Sequence, residues 1–141
     1  MTLYAESSAV LAWLLDEEAG AEIRLLLSEA AIIVASDLTI VESERILQRA
    51  AALGELREGD VADLRAHLAR TASQWHVLRI SPEVVARAGQ PFPSEPLRTL
   101  DAIHLASALV ARSIMPGLEV LTLDARVRRA ATGLGFRVRP A

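Results

Sequence analysis

The sequence predicts an α/β fold: a three-layer α/β/α sandwich around a central, mostly parallel sheet of about five short strands. Three observations predict it. Short apolar runs alternate with longer segments whose apolar residues recur at helical spacing. No two-residue hairpin signal joins any pair of those runs. Strands joined only through helices run parallel, and such a sheet is covered on both faces.

Each element follows from local chemistry. Thr2 to Ala5 reads as a strand that ends near Glu6. Ser7 or Ser8 can cap a helix running to about Leu15. A second helix covers roughly Glu18 to Ser28, with Ile23, Leu26 and Leu27 on one face. Ala31 to Ala35 is a short buried strand, and Asp37 caps a helix that Gly54 ends after about Leu53. Val61, Leu64 and Leu68 form the apolar face of the next helix, and His76 to Ile80 is a strand. Ser81-Pro82 is a cap followed by Pro at the first helical position. Gly89 to Pro96, with three prolines, is a loop too short to join independent domains. Leu100 to Arg112 is apolar nearly all round and is expected to be buried. Leu118 to Leu123 is a strand, Asp124 to Thr132 a helix, Gly133-Leu134-Gly135 a break, and Phe136 to Val138 a last short strand. The 141 residues suit one domain, spanning 1–141, with a sizeable core.

Composition removes whole classes of function. Hydrophobic residues make up 52% and charged residues 23%, which is globular rather than disordered. There is no cysteine, hence no disulfide, thiolate zinc site, iron–sulfur cluster or cysteine nucleophile. The apolar stretch Ala9 to Leu15 lacks a positive leader and is followed at once by Asp16-Glu17-Glu18, unlike a signal peptide. No run approaches the ~18 apolar residues of a membrane span, so a cytoplasmic protein with no membrane partner is expected. All 15 basic residues are Arg, and Asn is absent too. A GC-rich genome accounts for both, and a hot habitat accounts for the missing Asn.

The net charge of −3 argues against a globally basic nucleic-acid surface. It is distributed unevenly, however: from Asp101 onward six arginines (112, 126, 128, 129, 137, 139) face three acids. Arg126, Arg128 and Arg129 directly follow Asp124, where they either meet phosphates or form a solvated helix face.

Open α/β sheets bind ligands beyond the carboxyl ends of their strands, where strand order reverses. Glu6 follows the first strand and Asp124 the fourth. Glu42 interrupts the ridge Leu38, Glu42, Ile46, Ala50, Leu53, either as a functional acid or as the partner of Arg45 or Arg49. Glu44 lies on another ridge and reads as a surface charge. Asp101 enters the most hydrophobic helix of the chain. It either complements the helix dipole or is paired or metal-bound, since burying a bare carboxylate is costly. His104 in that helix reads as a satisfied core histidine rather than a ligand. There is no phosphate-cradling glycine loop, no nucleophile elbow and no His-Glu-x-x-His spacing. The remaining chemistry is oxygen, with the hydroxyls of Ser8 and Thr122 near the acids, and an all-oxygen cluster selects Mg²⁺ or Mn²⁺ over zinc.

Four motifs carry a resemblance. The chain opens Tyr4-Ala5-Glu6-Ser7-Ser8-Ala9. Glu42-Ser43-Glu44-Arg45 has the form Glu-x-x-Arg. Leu97 through Ala106 reads Leu-Arg-Thr-Leu-Asp-Ala-Ile-His-Leu-Ala, and Thr122-Leu123-Asp124 follows the fourth strand. In this order and context they resemble the PIN-domain family, and most closely the VapC-type toxins of type II toxin–antitoxin systems. The resemblance spans nearly the whole chain, and the third motif is its most specific part.

The resemblance implies a Mg²⁺- or Mn²⁺-dependent endoribonuclease in which a metal-activated water attacks an RNA phosphodiester. It implies Glu6 and Asp101 as direct ligands, Asp124 as a ligand directly or through water, and Glu42 as a ligand or water-orienting group. Ser8 and Thr122 would support them. It also implies a small cognate antitoxin and a homodimer. Trp13 and the apolar first two helices either serve such an interface or belong to the core.

One position departs from the family's pattern. Its first acid is usually Asp, and Glu6 carries an extra methylene that shifts the carboxylate by on the order of 1 Å. A misplacement of that size can lower a rate ~100-fold. A catalytically weak PIN-like module acting through antitoxin or RNA is therefore the second expectation. A phosphatase or phospho-accepting regulator is the third; it lacks the paired acids usual after the first strand.

Overall fold

The computed structural model describes all 141 residues. Five strands form one sheet: β1 (Thr2–Ala5), β2 (Ile32–Ser36), β3 (His76–Leu78), β4 (Leu118–Leu121) and β5 (Val138–Arg139). Their order is β3-β2-β1-β4-β5 and every pairing is parallel. Seven helices connect and cover them: α1 (Ser7–Leu14), α2 (Gly20–Glu29), α3 (Asp37–Ala52), α4 (Glu58–Ala72), α5 (Pro82–Ala88), α6 (Thr99–Ile114) and α7 (Ala125–Gly133). The chain builds outward from β1 through β2 to β3, then returns to lay β4 on the other side of β1. Strand order therefore reverses between β1 and β4.

Side chains along a strand alternate between faces, so one sheet feeds two cores. Leu3, Ala5, Ala35 and Leu121 pack with Val10, Trp13 and Ile23 of the first two helices and with Leu47 and Leu68 of α3 and α4. Tyr4, Val34, Leu118 and Val120 pack on the opposite face with Leu105, Ala108 and Val127 of α6 and α7. This is the expected three-layer sandwich. Trp13 is core: it is 9% exposed and lies against Trp75 and His67. Gly20 marks a close crossing of α1 and α2, where a Cβ would stand 2.6 Å from the Ala12 carbonyl oxygen.

Several element ends differ from expectation for local reasons. Glu6, not Ser7 or Ser8, caps α1, and its carboxylate accepts from the Ser8 N–H. Ser36, not Asp37, caps α3, because its hydroxyl accepts from Leu38 N while Thr39 reaches back to its N–H. Asp124 lies before α7 as its cap rather than within it. β4 ends at Leu121: the Thr122 N–H still donates to the Arg139 carbonyl, but those of Leu123 and Asp124 turn to the Ser8 hydroxyl. Phe136 precedes β5: its N–H closes the end of α7 on Ala131, and its ring packs under Arg112. The buried residues of α3 are Leu38, Thr39, Ser43, Leu47 and Ala50, so the expected ridge is inward only in part: Ile46 and Leu53 are exposed. α6 is not apolar-buried all round either, since Leu100 and Ile114 face solvent. Ser81 and Pro82 start α5 as expected, and Gly54 ends α3 with φ of +74°. No helix is long and apolar enough to cross a membrane.

Candidate active site

The four acids expected from sequence all stand at the carboxyl edge of the sheet, around the β1/β4 reversal. Glu6 continues β1, its N–H donating to the Leu121 carbonyl at 3.0 Å. Asp124 follows β4 as the cap of α7, Asp101 lies in the first turn of α6, and Glu42 lies in the second turn of α3. They form two coupled pairs rather than one even cluster of four.

The first pair is Glu6 and Glu42, joined by a hydroxyl that sequence reasoning passed over. Ser7 Oγ lies 2.9 Å from Glu6 Oε1 and 2.8 Å from Glu42 Oε1. A serine hydroxyl has one proton, so it can donate to only one of these carboxylate oxygens at a time. Glu42 is held from behind by His104, whose Nε2 is 2.5 Å from Glu42 Oε1. The other ring nitrogen, Nδ1, is 2.8 Å from the Tyr4 hydroxyl. Burial pushes the Tyr4 phenol well above its ordinary range. A carboxylate only accepts, so Nε2 presents a proton to Glu42, while the buried Tyr4 hydroxyl engages the ring at Nδ1. Burial raises the Glu42 carboxyl, but hydrogen bonds from His104 and Ser7 and the charges of His104 and Arg98 outweigh it and hold it below the usual glutamate value. His104 is 2% exposed with both nitrogens engaged. Although it lies within 4.8 Å of the Glu6 and Glu42 oxygens, it positions Glu42 and is not a free ligand. It is the satisfied core histidine expected, and it stands beside Glu42 in place of Arg45 or Arg49.

The second pair is Asp101 and Asp124, joined by Arg98. The guanidinium makes a two-pronged contact with Asp101, Nε to Oδ2 at 2.8 Å and Nη2 to Oδ1 at 3.1 Å. The same Nη2 reaches Asp124 Oδ2 at 3.2 Å. Asp101 is 5% exposed; Asp124 Oδ1 is committed to capping α7 through the N–H groups of Arg126 and Val127. The spacing of Arg98 three residues before Asp101 on a helix was the available sequence signal for this bridge.

Ser8 and Thr122 tie the pairs together. Thr122 Oγ1 donates to Glu6 Oε2 at 2.7 Å, and Ser8 Oγ donates to the same oxygen over a very short contact. Each hydroxyl also accepts from Asp124 N, and Ser8 accepts from Leu123 N as well. Asp101 and His104 sit one turn apart on α6, linking the second pair to the first. Glu44, expected as a surface charge, pairs with Arg65 at the edge of α3 and α4.

The donor set fits a hard cation. Between the facing oxygens of Glu6 and Glu42 stands a single serine proton, so lone pairs outnumber donors there. No sulfur is present, and no histidine nitrogen is free at this edge.

A parallel five-stranded sheet with acids gathered at the reversal of strand order defines a class, and the family comparison names it. A model described as PIN domain matches residues 3–133, and the chain belongs to the PIN domain family. Within that family it is of the VapC type. It is 30% identical over 139 residues to the proteins called Ribonuclease VapC45 and Ribonuclease VapC49 of Mycobacterium tuberculosis strains, covering 99% of this chain and 95% of theirs. Its fold is similar to that of the M. tuberculosis toxin VapC20, described as cleaving the sarcin–ricin loop, with a TM-score of 0.67 and 15% identity over 91% of this chain and 94% of that one. It is also similar to VapBC2 of Rickettsia felis, determined with a DNA fragment from their promoter, at a TM-score of 0.63 and 12% identity over 99% and 98% of the two chains.

Proposed function

We propose that this protein is a divalent-metal-dependent endoribonuclease and the toxin of a toxin–antitoxin pair. The observation that carries the proposal is the gathering of Glu6, Glu42, Asp101 and Asp124 at the β1/β4 edge, in a chain of the PIN family whose curated relatives bear the name ribonuclease. Asp101 and Glu6 would hold Mg²⁺ or Mn²⁺ directly, with Asp124 and Glu42 as ligands directly or through water. A divalent cation held there makes a bound water far more acidic and offsets negative charge on a phosphodiester.

The chain's own groups supply positioning. Ser8 and Thr122 fix the Glu6 carboxylate from one side. Ser7 and His104 fix that of Glu42, with Tyr4 holding the other edge of the His104 ring. Arg98 holds Asp101 and Asp124 together against their mutual repulsion. An antitoxin partner, a homodimer and an RNA substrate follow from the family resemblance.

The test is cleavage of structured RNA with Mg²⁺ or Mn²⁺, compared with EDTA and with Asp101→Asn. The proposal expects cleavage that both treatments abolish. Cleavage indifferent to both overturns the metal mechanism. One observation favours a second reading, a module weak in catalysis. Glu6 Oε2 already accepts from Ser8 N, Ser8 Oγ and Thr122 Oγ1, a fold-back that its extra methylene permits. If Glu6→Asp creates a nuclease activity absent from the parent, that second reading replaces the first.

A further inference from the structure

Beside the acid edge lies a cavity of about 550 Å³ lined by Ser94 to Arg98 and by Arg126 and Arg129. Its size falls in the range of about 300–1,000 Å³ typical of clefts that receive small molecules. One wall is the loop before α6, the other is α7. The two are seated together at Gly133, where a Cβ would be in ordinary contact with Pro93 and Ser94. Its lining includes Arg98, the residue that bridges Asp101 and Asp124.

The arginines of this region are not equivalent. Arg112 lies over Phe136 and donates to the Leu134 carbonyl. Arg128 donates to the Thr122 carbonyl. Arg137 and Arg139 pair with Glu119. Arg126 and Arg129 are exposed and have no carboxylate partner. The one acid in the wall, Glu95, is occupied in holding the loop, accepting from the N–H groups of Phe92 and Leu97. The cavity therefore presents two guanidinium groups without an ion-pair partner, one carboxylate turned to backbone N–H groups, and a third guanidinium, Arg98, shared with the acid site. Unpaired arginines, each a planar fork of donors, suit phosphate oxygens.

We infer that this cavity is a subsite for the phosphate backbone of a single-stranded nucleic acid, adjoining the scissile position, with Arg126 and Arg129 as its phosphate ligands and Arg98 at its junction with the acids. It deepens the nuclease reading and rests on it for the identity of the strand. The contacts are to phosphate, so they set the path of the strand and not its sequence preference.

The probe is a fluorescein-labelled 2′-O-methyl oligouridylate, bound to the full chain in EDTA and followed by anisotropy over a range of NaCl concentrations. Each phosphate contact to a single strand contributes about 0.7 to the slope of log affinity against log salt. Arg126→Gln and Arg129→Gln should each lower that slope by about 0.7, and the double variant by about 1.4, with affinity in low salt reduced severalfold at each step. Arg70→Gln, which removes an exposed arginine from α4 on the other face, should leave the slope unchanged. A double variant with the parent's slope overturns the subsite. So does a polyglutamate peptide that binds with this dependence on Arg126 and Arg129 while the oligouridylate does not, because that result assigns the cavity to an acidic protein segment. If the oligouridylate binds as expected but RNA is never cleaved with Mg²⁺ or Mn²⁺, the subsite stands and the nuclease reading falls.

Discussion

Replacing His104 with Leu tests the positioning of Glu42 most directly. The substitution keeps an apolar volume close to that of the imidazole in a site that is 2% exposed, and it removes both ring nitrogens. Two groups lose partners. The Tyr4 hydroxyl, on a side chain 1% exposed, loses its ring-nitrogen partner at 2.8 Å. Stranding a buried hydroxyl costs about 1–3 kcal/mol. The Glu42 carboxylate loses the Nε2–H donor at 2.5 Å. A hydrogen bond to a charged group is worth about 1.5–3 kcal/mol. The Glu42 side chain is 25% exposed, so water replaces part of the bond and the lower end applies. The sum is about 2–5 kcal/mol, equivalent to a fall in Tm of roughly 6–15 °C for a chain of this size.

Thermal and urea unfolding at pH 7 measure this loss, and a cycle with Tyr4→Phe apportions it. Because Tyr4→Phe removes the stranded hydroxyl, the double variant should be about 1–2 kcal/mol more stable than the two single losses predict. The pH dependence gives an independent sign. Glu42 titrates below its ordinary value of 4.5 when folded. Its contribution is therefore complete above that value and is lost as pH falls through the folded pKa. The parent should lose stability there more steeply than His104→Leu. A Tm within 2 °C of the parent, or strict additivity with Tyr4→Phe, refutes the coupling of Tyr4, His104 and Glu42 through one hydrogen-bonded chain.

Three further outcomes are expected. Mn²⁺ at about a hundred times its Kd should stabilise the parent by about 2.7 kcal/mol, while Asp101→Asn should lose most of that gain; equal thermal shifts in both proteins would separate cation binding from Asp101. Arg98→Gln should raise Mn²⁺ affinity severalfold in a calorimetric titration, because Arg98 already supplies the positive charge between Asp101 and Asp124; weaker binding would mean that Arg98 builds the site instead of competing for it. Gly20→Ala should cost about 1–3 kcal/mol by forcing α1 and α2 apart at Ala12, read as a lower urea midpoint; an unchanged midpoint would show that the crossing yields freely.

Much of the fold was legible in the residues because periodicity and capping are local. The strands at Thr2, Ile32, His76 and Leu118 and the Ser81-Pro82 helix start follow from neighbours a few positions apart. The four acids were legible for a related reason. Each directly follows a strand or interrupts an apolar stretch, and the topology of a parallel sheet brings strand ends together. The misplaced ridge on α3 shows where local reading stops. Leu38, Ile46, Ala50 and Leu53 share one ridge, yet only Leu38 and Ala50 of it are buried, beside Thr39, Ser43 and Leu47, while Ile46 and Leu53 face solvent. Which stripe faces the core depends on what it packs against.

The sequence alone therefore determined the class of sheet and the order of the acids along the chain. Tertiary structure alone decided how those acids are paired. Ser7 joins Glu6 to a residue 35 positions away, His104 reaches Glu42 across 62 positions, and Thr122 reaches Glu6 across 116. Hydroxyl and imidazole protons have no period in a sequence. Where each proton goes is settled only when distant strands and helices bring donors and acceptors within about 3 Å and exclude the water that would otherwise satisfy them.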